Sequence, residues 1–453
     1  MSDEAIERVL TLADERGLSH ANLGAFESNG SYRSKRYNVR HLKKSMTEGI
    51  AWIAVPSGLS PADGIIETNP FADPASGYRD GVLVMDPGSC RETPFDSDGN
   101  GLLLIGQFTG DLAEHCVRAL LSRELERLDA LGFQLYGGLE MEGAVLAETA
   151  DSLRNKRPAD VQIMPGFDRV YSFTDQSIGS GFIDDLVATC GVMGLPLDTA
   201  HAEMYHMLEV GMQPATGIRI ADNAGLYKAV AKVVAARHGA YVTFMARRID
   251  NDQGCGAHIN VSLRHKGTGE TAFYDPARED RLSDTMRYFL GGLNRYLPEL
   301  FLLLAPHLNS YKRYQLGLFT PLTNTWGINS KTVAFRALNV TPAAARIEVR
   351  PAGADICPHL ALLAVTAAGR LGIEQRIEPP DPVNGNGWAV EDPEGPPLPL
   401  RFEEAIDRFE ESSVAKEITS EGFHAAFVGD RRWQVETFAR TVTDWELAMF
   451  GNL

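Results

Sequence analysis

Four short segments of this chain place charged and polar side chains at alternate positions. Leu139-Glu140-Met141-Glu142 sets two glutamates on one face of a strand. Ala200-His201-Ala202-Glu203 sets His201 beside Glu203, and Glu209 follows six residues on. Gly256 to Ser262 lines up His258, Asn260 and Ser262, and Arg346 to Arg350 reads Arg, Glu, Arg on one face. Each could be an ordinary amphipathic strand with a solvated outer face. Together they are unusual, because solvent faces carry mixed Lys, Thr and Ser rather than repeated Glu with His. Converging glutamates repel one another unless a cation neutralises them. Carboxylate oxygens with an imidazole suit Mg²⁺ or Mn²⁺. Two such ions could clamp a phosphoryl group in transfer, with arginine forks binding carboxylate or phosphate.

These segments need a scaffold, and the chain is long enough for two or three domains at 453 residues. Residues 1–18 have the apolar spacing of a helix, and residues 20–108 hold short strand-like runs and turn signals. The proline-bearing stretch from Val55 to Gly81 predicts loop. Past Asp111, apolar residues from Ala113 to Leu128 recur at helical steps until Gly132. A domain boundary near residue 109 follows, giving units 1–108 and 109–453. Asp222 is expected to cap a helix that runs to His238, and Ser283 to cap another. Glu378 to Leu400, rich in proline and glycine, predicts a linker. Phe402 to the C-terminus predicts helix.

Composition removes several classes of function. Asp and Glu number 60 against 43 Lys and Arg, a net charge of −17, which argues against nucleic-acid binding. No apolar run is long enough to span a membrane. Five scattered cysteines, with no CxxC pair, argue against a disulfide framework or a zinc site and for a cytoplasmic setting. Cys255, Cys357 and His359 read as packing residues. His206 lies between Glu203 and Glu209 but reads as a bystander.

The order of motifs resembles the glutamine synthetase family, of class I-like type. The matching stretches are Gly138 to Glu142, His201 to Glu203 through Glu209-Val210, and Thr243 to Ala246. Gly254 to His258, Asn309 to Arg313, Trp326-Gly327 leading to Arg336, and Arg346 to Arg350 follow, and Val442 to Glu446 also fits. The resemblance implies an α+β fold: a small β-grasp-like N-terminal domain and a large α/β catalytic domain with a curved antiparallel sheet. It implies two or more Mg²⁺ or Mn²⁺ ions per site, one on Glu142, Glu203 and Glu209 and one on Glu140, His258 and Glu348. It places Arg313, Arg350 and the Gly254 backbone on glutamate. Arg336 and Arg346 would face the phosphates of ATP, and Asp198, Asn260 and Ser262 the rest of the nucleotide. A ring homo-oligomer, of dodecamer type, with sites between subunits is also implied. The implied reaction activates glutamate as γ-glutamyl phosphate and transfers the γ-glutamyl group to a nitrogen nucleophile.

Departures from the family pattern concern that nucleophile. Phe319 in Gly317-Leu318-Phe319-Thr320-Pro321 stands where the family carries a glutamate. The stretch Gly49 to Val55 lacks the family's aspartate, although Asp63 is a possible substitute. A neutral pocket strips water from ammonium without offering a counter-charge. The γ-glutamyl-amine ligase branch, with a small apolar or aromatic amine as partner, fits better than ammonium. Trp52, Phe319 and Trp326 are the expected pocket lining. Lys331 replaces the family's arginine and keeps charge without the fork. Gln253 and Met207 are further replacements near the site. Authentic glutamine synthetase, or a non-catalytic scaffold or sensor, remain the alternatives.

Overall fold

The computed structural model of the protein describes residues 2–67, 69–71, 73–96, 99–250, 253–391 and 393–453. The first helix, α1 (Asp3–Glu15), is capped by the Ser2 hydroxyl and buries Ile6, Val9 and Ala13. It is followed by β1 (His20–Phe26), β2 (Tyr32–Asn38), α2 (Leu42–Thr47), β3 (Ile50–Ile53), β4 (Asp80–Met85), β5 (Arg91–Thr93) and β6 (Gly101–Thr109). The strand order is β2-β1-β6-β4-β3, with β5 also on β6. β1 and β6 run parallel and the other pairs antiparallel. Between β3 and β4 the described chain forms turns and short 3₁₀ segments rather than strands.

The remainder builds on a second, nine-stranded sheet. Its elements are α3 (Val117–Ala130), β7 (Phe133–Leu146), α4 (Ala150–Leu153), α5 (Phe173–Ile178), α6 (Ser180–Val192), β8 (Leu197–Glu203), β9 (Met207–Met212) and β10 (Ala215–Thr216). Then come α7 (Arg219–Arg237), β11 (Tyr241–Thr243), β12 (Ala257–His265), α8 (Asp284–Leu300), β13 (Trp326–Ile328), β14 (Phe335–Leu338), β15 (Arg346–Val349) and α9 (Pro358–Gln375). The chain ends in α10 (Phe402–Glu411), α11 (Ser413–Thr419), α12 (Glu421–Ala439) and α13 (Asp444–Phe450). The order β13-β14-β15-β12-β7-β9-β8 is antiparallel except for β13 beside β14.

Helix α9 is largely apolar, with His359, Thr366 and Arg370 along one face, and Pro358 to Gly372 are all buried. It meets α8 at glycines. A Cβ on Gly292 would lie 2.0 Å from the Ala368 carbonyl oxygen, and one on Gly372 2.1 Å from that of Tyr288. Ser283 caps α8 by accepting the Met286 N–H. Asp222 does not cap α7, which starts at Arg219. Its carboxylate is buried in the first turn and accepts from Arg118 Nε (3.0 Å), with His359 Nε2 at 2.9 Å. Tertiary partners have claimed the group that the local pattern assigned to a cap.

Candidate active site

The sheet register gathers the charged strands. His258 on β12 lies opposite Glu140 on β7, and Asn260 opposite Glu348 on β15. Arg336 on β14 also faces Glu348. Glu142 on β7 is opposite Glu209 on β9, and Glu209 is opposite His201 on β8. Because each strand alternates, these residues share one face of the sheet. That face is the floor of a cleft of about 350 Å³. The cleft collects Glu140, Glu142, Glu203, Glu209, His258 and Glu348 with Gly254, Arg313, Phe319, Lys331, Arg336 and Arg350.

Two groups of donor atoms are close enough to hold a cation. Glu140, His258 and Glu348 form one, and His201, Glu203 and Glu209 the other. His258 Nδ1 is 3.4 Å from Glu140 and 3.6 Å from Glu348. His201 Nδ1 is 3.4 Å from Glu203, and its Nε2 is 4.0 Å from Glu209. The first group has the composition expected. In the second, His201 stands in the position assigned to Glu142. Glu142 lines the cleft, but its Oε2 accepts the Gly256 N–H. The alternation of β8 had already placed His201 beside Glu203; only the family pattern omitted it.

Electrostatics in the cleft demand a counter-charge. Burial and the neighbouring carboxylates of Glu142, Glu140 and Glu203 push Glu209 up to about 9. Burial and Glu142 also raise Glu203. Burial works against Glu348 as well, yet His258, Arg350 and Arg336 hold it down at about 2. Arg336 Nη1 donates to Glu348 Oε2 at 2.8 Å, and Arg350 Nη1 donates to Oε1. Hard oxygen donors with one imidazole fit Mg²⁺ or Mn²⁺ in each group. An ion there would offset the like charges that Glu140, Glu142 and Glu203 set around Glu209.

The arginines are anchored through some atoms and free through others. Arg313 sits on a 3₁₀ turn (Leu308–Arg313). Its Nη1 donates to the carbonyls of Pro351 (2.9 Å) and Ala352 (3.0 Å). A Cβ on Gly256 would lie 2.7 Å from its Nη2, so glycine there leaves the guanidinium its place in the cleft. The Nε atoms of Arg336 and Arg350 are buried and make no hydrogen bond. Gly254 has φ +81°, and a Cβ there would strike the Ala246 carbonyl.

A second cavity, about 290 Å³, adjoins the cleft and shares Glu140 with it. Asp198, Asn260, Ser262 and Arg346 line it. Arg346 Nε donates to Asn260 Oδ1 (2.9 Å), and Asn260 Nδ2 donates to Glu140 (3.2 Å). This chain of bonds links the cavity to the first cation group.

The aromatic lining differs from expectation. Phe319 is half exposed at the cleft. Trp326 is buried in the sheet core, and its Nε1–H is spent on the Pro380 carbonyl at 2.7 Å. Trp52 is buried in the N-terminal core under the Lys35 ammonium. Neither indole is a lining residue of this cleft. Tyr171, which the sequence did not single out, does line it, with its ring 4.8 Å from that of His201. His206 pairs with Asp168 and is no part of either cation group. Asp63 pairs with Arg33.

The chain is similar to known proteins in sequence and in fold. The family model described as glutamine synthetase, catalytic domain, matches residues 114–450. A glutamate–isopropylamine ligase of a Pseudomonas species is 27% identical over 100% of both chains. A gamma-glutamylethanolamide synthetase of Streptomyces coelicolor is 30% identical over 92% of this chain and 89% of its own. A gamma-glutamylputrescine synthetase of Escherichia coli is 28% identical over 92% of this chain and 89% of its own. Among solved structures, GmaS without ligand superposes with a TM-score of 0.82 at 24% identity, covering 98% of this chain and 99% of that one.

Proposed function

The chain belongs to the glutamine synthetase family of ATP-dependent carbon–nitrogen ligases, and from that premise we propose that it joins the γ-carboxylate of L-glutamate to a small apolar or aromatic amine. The observation that carries this reading is the meeting of two cavities at Glu140, one walled by Arg346 and Asn260, the other by acids, arginines and Phe319. A nucleotide in the first cavity directs its terminal phosphate toward the second. Arg313 and Arg350 hold the carboxylates of glutamate there as forks. A γ-carboxylate oxygen attacks the terminal phosphorus, the bond to the β-phosphate breaks, and ADP leaves. The amine nitrogen then attacks the acyl carbon of γ-glutamyl phosphate, loses a proton and expels phosphate. Arg336 and Lys331 balance the charge that spreads over the phosphoryl oxygens.

Mg²⁺ or Mn²⁺ would be held by Glu140, His258 and Glu348 and by Glu203 and Glu209 with Glu142 or His201, and would supply Lewis-acid charge to the phosphoryl group. Phe319 decides the nitrogen partner. A phenyl ring supplies ammonium with neither a counter-charge nor a base, whereas an amine with an apolar body gains contact area. The relative named for isopropylamine supports that class. A ring homo-oligomer of dodecamer type belongs to the same reading.

The test is phosphate release from ATP with glutamate and Mg²⁺ or Mn²⁺ across ammonium, methylamine, isopropylamine, ethanolamine, putrescine and aniline. The expected result is turnover with an apolar amine and little with ammonium. Preferred use of ammonium would establish a glutamine synthetase instead. No release with any amine would point to a scaffold or sensor.

A further inference from the structure

Residues 378–400 hold no helix or strand among those described beyond one 3₁₀ turn, Gly387–Ala389. This segment is nevertheless fastened to both loops that border the acid cleft. On one side, Gly387 N–H donates to Thr332 Oγ1 (2.7 Å) and Ser330 Oγ donates to the Gly385 carbonyl (3.3 Å). Those two partners flank Lys331. A Cβ on Gly387 would lie 2.6 Å from the Thr332 carbonyl oxygen, so the turn is pressed against that loop. On the other side, Trp388 Nε1–H donates to the Thr320 carbonyl at 3.1 Å. The Trp388 ring meets the Phe319 ring edge-on, with centroids 5.5 Å apart and planes at 84°. Asn386 Oδ1 accepts the Trp388 N–H (3.0 Å) and fixes the base of the indole.

Phe319 needs such a fixture. Its φ is +51°, in the left-handed region that bulky residues avoid. The residue is 49% exposed, so the cleft alone does not hold it. A residue kept in an unfavourable conformation persists only where neighbours over-determine it. Trp388 supplies two of those constraints, one on the ring and one on the next peptide carbonyl. Thr320, which offers that carbonyl, is itself buried.

We infer that Trp388 is a positioning residue for the nitrogen substrate, acting by holding the Phe319 ring against the cleft. The inference rests on the function proposed above, because Phe319 is read there as the wall of the amine site. It assigns a specificity role to a segment outside the catalytic strands.

The experiment is steady-state kinetics on the full chain with Trp388→Ala, Trp388→Phe, Phe319→Ala and the double variant. Each substrate is varied in turn, and the amine is whichever one the wild type prefers. Trp388→Ala is expected to raise KM for that amine about tenfold while KM for ATP and for glutamate moves less than about twofold. Trp388→Phe keeps the ring and loses the indole N–H, so it falls between. The double variant is expected to match Phe319→Ala, since both changes remove one device. Additive losses, or equal shifts in all three KM values, would overturn the inference. Hydrogen exchange across residues 315–322 gives a reading that needs no amine. Faster exchange in Trp388→Ala with residues 138–142 unchanged supports the role, and unchanged exchange in 315–322 overturns it. A wild type that turns over ammonium alone would refute the proposed amine class, and the ammonium KM together with the exchange data would then decide the role of Trp388.

Discussion

At the scale of single residues, Glu209 shows what the cleft is built to receive. Its carboxyl rises from an unfolded value of 4.5 to about 9, through burial and three acidic neighbours. The folded protein therefore holds a proton there that the unfolded chain has lost. By linkage, this group's contribution to stability falls as pH rises from 4.5 toward 9. A divalent cation displaces that proton and reverses the penalty. The rise in Tm on adding Mg²⁺ or Mn²⁺ should accordingly be larger at pH 8 than at pH 6, by differential scanning fluorimetry. An equal rise at both values would mean that Glu209 is not at a cation site. Glu348 has the opposite character, held at about 2 by His258, Arg350 and Arg336. Glu348→Gln keeps the shape and removes the charge shared by the buried Arg350 and the partly buried Arg336. Phosphate release should drop by at least about 100-fold while the circular dichroism spectrum is retained. Phe319→Glu restores an acid to the nitrogen site. It should raise kcat/KM for ammonium relative to isopropylamine by about tenfold or more, and an unchanged ratio would exclude Phe319 from that site.

Elements carry a different kind of dependence, because the cleft needs helices that cannot slide. Arg118 on α3, Asp222 on α7 and His359 on α9 meet in one buried network, with Asp86 as a second partner for Arg118. Burial opposes the Asp222 charge, but Arg118 and His359 hold its carboxyl at about 2. This contribution is present above the unfolded value of 3.8 and is lost as pH falls through about 2. Asp222→Ala strands a buried guanidinium with one half-exposed partner and should cost about 3–5 kcal/mol in urea unfolding. A cost below about 1 kcal/mol would show that water replaces the carboxylate. The same residue marks what sequence reading could reach. Alternation within β7, β8, β12 and β15 is local, so their acids and histidines were legible, and motif order grouped Glu140 with His258 and Glu348 but set Glu142 where the structure brings His201 to Glu203 and Glu209. The helix start near Asp222 was misread because its partners lie 104 and 137 residues away. Trp326 sits within a matching motif, yet its indole turns into the core where Pro380 accepts its N–H. Trp388 left no trace, since a proline- and glycine-rich stretch has no periodicity to show which face of a turn points at a loop of the cleft.

For the whole molecule, the surface that remains uncovered bears on assembly. The last helix, α13, buries none of its residues. Trp445 is 62% exposed, Leu447 70% and Met449 60%, and Val442 before it reaches 81%. The Trp445 and Phe450 rings meet edge to face, with centroids 5.7 Å apart. The helix still forms well, with a capping box between Thr443 and Glu446. An ordered helix with an apolar, uncovered surface is built to be buried by something. A net charge of −17 repels other copies at long range. Short-range apolar contact of this kind can offset that repulsion between copies. Self-assembly in a closed ring satisfies the same patch on every subunit. Deletion of residues 441–453 should lower the mass found by light scattering to a smaller species, and Trp445→Glu should do the same at physiological salt. Residues 441–453 are remote in sequence from every member of the acid cleft, so a fall in amine-dependent phosphate release that tracks the fall in mass would place the active site at a subunit boundary. Full activity in a dissociated variant would confine the site to one chain, and a full-length protein of monomer mass would remove the ring from the reading altogether.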